Sequence, residues 1–141
     1  MNPCEKLIRD ISLIEREIQN KSIDIAAGKG SYIAKLQVQQ TDQSLNASGK
    51  LIKPPYRPAT RKRKLRAGRS GNVDLRDKGD FLSEVTTVVF NNEIHIVSFD
   101  EKSKFLVPKY DPFGLMEENM DKLRIAVLPE LGKWVKNTIG V

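Results

Sequence analysis

The chain has 141 residues, with 24 basic and 18 acidic side chains, one cysteine and one histidine. That length suits one domain with its own core, and no apolar run approaches the ~20 residues a membrane-spanning helix needs. One thiol excludes an internal disulfide, and one imidazole leaves no histidine cluster for a metal.

The net charge of +6 is unevenly placed. Positions 50–69 hold nine basic residues and no acid, leaving 15 basic and 18 acidic residues elsewhere. The pattern is a mildly acidic body carrying one strongly cationic segment.

The N-terminal stretch MNPCEKLIRDISLIERE is charged from Glu5 onward and lacks the apolar core of a secretory signal. A cytoplasmic place of synthesis is expected, with no membrane partner. Residues 4–25 predict an amphipathic helix: Leu7, Ile11, Ile14 and Ile18 recur at helical spacing and form one stripe. Asn2-Pro3 is a start signal. Cys4 reads as a thiol near a fraying end. The stripe is too short for a sustained coiled coil.

Gly28 and Gly30 in AAGKGS predict a break. They lack the strand and the Gly-Lys-Ser/Thr order of a phosphate loop. A second, Gln-rich helix is expected over 31–40, then a polar loop over 41–50. Residues 45–78 are expected to form an extended basic arm or loop of the single 1–141 domain, because Pro54, Pro55 and the cations offer little that could join a core.

FLSEVTTVVF, NNE and IHIVSF, over 81–99, predict a β-hairpin, with His95 as a sheet-surface imidazole. FLVPKY at 105–110 is expected to add a short edge strand. From Leu115 onward the spacing is helical. Pro129 predicts a kink or a fresh helix start, and Leu131 and Trp134 continue the apolar face. The expected fold class is α+β: an N-terminal amphipathic helix, a basic arm, a small antiparallel sheet built on a hairpin, and C-terminal helices.

The residues present no catalytic constellation, so no enzyme, no catalytic or metal site and no cofactor are expected. Asp74, Asp77, Asp80 and Glu84 alternate with Arg76 and Lys78, which reads as charge balance in an exposed segment or as acids meeting the basic arm. The cationic stretch PPYRPATRKRKLRAGRSG carries Arg57, Arg61, Lys62, Arg63, Lys64, Arg66 and Arg69. Four readings stand: a solvated charge run; a grip on nucleic-acid phosphates; an arm that orders in an acidic groove of another subunit; or, in a eukaryotic cell, a nuclear address. Tyr56 is the only aromatic nearby, which argues against base stacking as the main mode.

Three pieces carry a resemblance: NASGKLIKPPYRPAT after the Gln-rich helix, VDLRDKGDFLSEV entering the first strand, and KYDPFGLMEENMDKL, where Phe113-Gly114-Leu115 leads to an acidic helix start. In that order, over about residues 36–128, they resemble small virion proteins of tailed bacteriophages, particularly those infecting Bacteroidetes. The layout is similar to that of neck or tail-completion proteins of the head-tail connector. The resemblance implies a non-enzymatic structural protein of the virion, assembled in the bacterial cytoplasm. It implies a homo-oligomeric ring that joins portal to tail, and possible non-specific contact with packaged DNA. Phe81, Phe113, Leu115 and Trp134 are the expected packing and assembly residues. The alternative is a small basic nucleic-acid-binding protein that uses 57–69 on phosphates.

Overall fold

The fold starts at a capped end. In the computed structural model, which describes residues 2–76 and 80–140, Asn2 and Glu5 form a reciprocal capping box. The Glu5 amide donates to Asn2 Oδ1 at 2.8 Å and the Asn2 amide to Glu5 Oε2 at 3.0 Å. From this cap α1 runs Pro3–Ala27, and α2 follows at Gly30–Asp42. The break falls at Gly28 as expected. Gly30 has a second role: a Cβ there would lie 2.5 Å from Thr87 Oγ1, so its hydrogen lets α2 close on the hairpin.

The chain then forms α3 (Pro58–Arg66), a single turn α4 (Asp80–Ser83), β1 (Val85–Phe90), β2 (Glu93–Ser98), α5 (Ser103–Tyr110) and α6 (Glu117–Ile139). This is an α+β fold, as the patterns indicated. The strands pair antiparallel from Val85↔Ser98 to Phe90↔Glu93. Asn91 and Asn92 both adopt positive φ, the backbone that a tight two-residue hairpin turn requires. Among the described residues no helix is long and apolar enough to cross a membrane.

Three expectations need correction. FLVPKY is helix α5, not an edge strand. Its aromatic and β-branched content favours strand locally, but the Lys102 amide donates to Asp100 Oδ1 at 2.9 Å and starts a turn. Leu106, Val107 and Tyr110 then reach the core at helical spacing. Second, of the two outcomes expected at Pro129 the fresh helix start is excluded, because α6 is one continuous helix through it.

The third correction concerns the segment read as an arm without core. It holds a nine-residue helix, α3, and supplies half of the buried cluster: Ile52, Val73 and Leu75 pack with Phe81, Leu82 and Tyr110. Pro58 starts α3 because its fixed φ suits the first turn. The apolar residues that reach the core lie on either side of the cations, two of them next to Asp74, and a composition average over the segment hides them. Phe81 stacks on Phe113, with ring centroids 5.6 Å apart and planes 11° apart. Tyr56 meets Tyr110 edge-on at 6.2 Å.

Candidate functional site

The cationic segment is organised around one carboxylate. Asp74 Oδ1 accepts from Lys64 Nζ at 2.7 Å and Oδ2 accepts from Arg69 Nη1 at 2.6 Å. The Lys64 and Asp74 side chains are only 7% and 8% exposed. Lys64 also donates to the Arg76 carbonyl, and the Arg76 amide donates to Asp74 Oδ1 at 3.1 Å. Burial alone would push the Asp74 pKa up. The Lys64 hydrogen bond, the Arg76 amide and the charges of Lys64 and Arg69 outweigh it and hold the carboxyl below its ordinary value.

Tyr56 completes the anchor. Its hydroxyl accepts the Leu75 amide at 2.9 Å and lies 3.4 Å from Asp74 Oδ1, and Lys64 Nζ sits 5.2 Å from its ring centroid. Burial is the main cause that pushes this phenol up to about 12. Leu75 is held at φ 57, a conformation that bulky side chains avoid. Arg76 then clamps Asp42 at the end of α2, with Nη2 to Oδ2 at 2.8 Å and a second contact from Nε to Oδ1.

The seven cations named from the sequence therefore divide. Lys64 is buried and structural, so it is withdrawn as a contact residue. Arg69 is half-committed to Asp74. Arg61, Lys62, Arg63 and Arg66 are exposed on α3, and Arg57 is exposed at its N-cap. Asp74 is a buried partner of the basic segment rather than part of an exposed charge balance, whereas Glu84 is exposed. Asp77 lies outside the described residues, as does the side chain of Asp80. His95 sits half-buried on β2, near the Phe90 ring.

A second element is an apolar groove of about 700 Å³. Its walls include Ile23 and Ala26 of α1, Ile94 and Ile96 of β2, and Leu123, Val127 and Leu131 of α6. Phe113 and Leu115 also line it. Phe81 is core, and Trp134 is half-buried on α6.

A polar clip that composition did not reveal holds the groove in shape. Gln40 Nε2 donates to the Gly114 carbonyl at 2.8 Å, while its Oε1 accepts from the Met116 amide at 2.8 Å and from Asn119 Nδ2 at 2.9 Å. Gln37 donates to the Pro112 carbonyl at 3.0 Å and accepts from the Gly114 amide at 2.9 Å. Both glutamines are fully buried. The available signal was positional: 37 and 40 continue the face marked by Ile33 and Leu36. The Phe113-Gly114-Leu115 turn is thus tied to α2, and Gly114, at φ +121, faces Ala47 so closely that a Cβ would sit 2.8 Å away.

The third element is the first half of α1. Residues 2–17 are all exposed. Leu7 is 61% and Ile8 66% exposed, and Ile11, Leu13 and Ile14 are about half exposed. The same stripe is covered further along, where Ile18 is half-buried and Ile25 buried. No family model, no curated protein and no solved structure matches this chain.

Proposed function

We propose that this chain is a non-enzymatic structural subunit that assembles into an oligomeric ring. The ring is of the kind that forms the neck or tail-completion piece of a tailed bacteriophage and joins portal to tail. One observation carries the reading: the first four turns of α1 present an apolar stripe that none of the described residues covers. A helix of this length is marginal in water by itself, and an uncovered aliphatic stripe marks a surface made for a protein partner. The order of the three motifs quoted above supplies the phage setting. The subunit is made in the bacterial cytoplasm and ends in the virion, beside the portal and other neck or tail proteins.

Mass spectrometry of purified virions from a phage carrying this gene tests the reading. The chain is expected among the particle proteins, and deletion of the gene should leave heads and tails unjoined. Its absence from intact particles would rule the reading out.

A second reading has its own support. Arg61, Lys62 and Arg66 are exposed on α3 and Arg57 at its N-cap, which suits non-specific contact with DNA phosphates. Four phosphate contacts should cost roughly a hundredfold in affinity between about 50 and about 200 mM salt. Duplex DNA titrated against the wild type and against a variant with these four residues as Ala checks it. Equal binding by the two proteins would exclude the grip.

A further inference from the structure

We infer that the exposed first half of α1 docks head-to-tail in the apolar groove of a second copy of this chain. The inference rests on the assembly reading and names the contact that builds the ring. The helix offers Leu7, Ile8, Ile11 and Ile14. The groove offers Ile23, Ile94, Ile96, Leu123, Val127 and Leu131. Both surfaces are aliphatic, and both are open in the single chain.

The helix cannot fill its own groove. Ser22, Ile23 and Ala26 of the same α1 already form one wall. Leu7 lies 15 residues upstream of Ser22, about 22 Å along the axis at 1.5 Å per residue. The stripe therefore points past its own groove, and the occupant has to come from another molecule.

Charge argues against the simplest alternative, pairing of α1 with α1. With Leu7, Ile11, Ile14 and Ile18 as the seam, the flanking positions on the two sides hold Asp10 and Glu17, and Ile8 and Glu15. In a parallel pair Asp10 would face Glu15 of the other helix, and in an antiparallel pair the Asp10 and Glu17 edges would face each other. Either arrangement sets acid against acid. The groove presents no such acidic edge along its lining: its charged or titratable lining residues are Arg124 and His95. Arg124 pairs with Glu117 and Asp121 of α6, and Glu93 lies 3.5 Å from His95. Lys29, between α1 and α2, pairs with Glu130 of α6.

The contact is also continuous with packing the chain already uses. The stripe that is exposed at Leu7 and Ile11 is the one that α1 buries at Ile25. Because helix and groove are different surfaces, each copy uses one of each, and repetition closes a ring when the rotation allows.

Two variants test this, both at exposed positions so that folding is preserved. Ile11→Asp removes the helix and keeps the groove. Leu128→Glu, at a residue that lines the groove and is 60% exposed, removes the groove and keeps the helix. In analytical ultracentrifugation the wild type should associate with rising concentration, and each variant should stay monomeric with unchanged circular dichroism. Mixing the two monomeric variants should yield a one-to-one dimer, because one intact helix still meets one intact groove.

Cys4, at the exposed tip of α1, supplies an independent reporter. Under mild oxidation, wild-type chains should give no dominant Cys4–Cys4 dimer, because a head-to-tail contact keeps the two α1 tips apart. A wild type that associates while the mixed variants do not, or a dominant Cys4–Cys4 product, would overturn the docking and leave the assembly reading standing. A wild type that stays monomeric at its solubility limit would overturn the docking. Its absence from virions as well would end both.

Discussion

Lys64 Nζ lies 2.7 Å from Asp74 Oδ1, and neither side chain is more than 8% exposed. This pair decides how the cationic segment behaves. Breaking a buried pair on one side leaves the other charge without compensation, at a cost of about 3–5 kcal/mol. Asp74→Ala is therefore expected to destabilise the protein by about 3 kcal/mol in urea denaturation. Lys64→Met should cost less, because Arg69 still meets Asp74. Equal stability of Asp74→Ala and wild type would mean that the anchor holds nothing.

The same carboxylate sets the acid response. Its folded pKa is lowered, so the unfolded chain takes up the proton first as pH falls. The stabilisation is complete above the unfolded value, about 3.9, and is lost as pH drops from there through the folded value. Thermal midpoints measured from neutral pH downward should fall in that window, and the fall should be shallower in Asp74→Asn. Parallel curves for the two proteins would refute the assignment.

Tyr56 predicts the opposite edge. Its folded pKa is raised to about 12, mainly by burial. Its contribution is therefore full below the unfolded value, about 10, and disappears as pH rises through about 12. In an ultraviolet titration of phenolate absorbance, the difference between wild type and Tyr56→Phe should appear near pH 12. A difference centred near pH 10 would show that the phenol is solvated.

Gln40 carries the clip between α2 and the turn into α6. Gln40→Leu strands the Gly114 carbonyl, the Met116 amide and the Asn119 amide group in a buried setting. Each orphaned group costs about 1–3 kcal/mol. A loss of about 3 kcal/mol or more is expected, with faster hydrogen exchange at Gly114 and Met116. Because Phe113, Gly114 and Leu115 of that turn line the groove, this variant should also weaken self-association. Unchanged exchange at those two amides would contradict the role given to Gln40.

Much of the fold was legible in order along the chain. The helix start at Asn2, the break at Gly28 and the Asn-Asn turn are local: each follows from a cap, a glycine or a positive φ within a few residues. FLVPKY was misread because strand propensity and helical spacing compete over six residues, and the Asp100 turn decided between them. Its partners lie in the core, where propensity has no view.

By itself, the sequence determined the α+β composition, the amphipathic stripe of α1 and the concentration of charge at 50–69. These depend on periodicity and side-chain type alone. Only the tertiary structure decided that Val73 and Leu75 are core, that Lys64 is buried on Asp74, and that the stripe is covered at Ile25 but open at Leu7. The reason is physical. Whether a charge or an aliphatic side chain faces water depends on what distant segments bring against it, and no local pattern encodes that meeting.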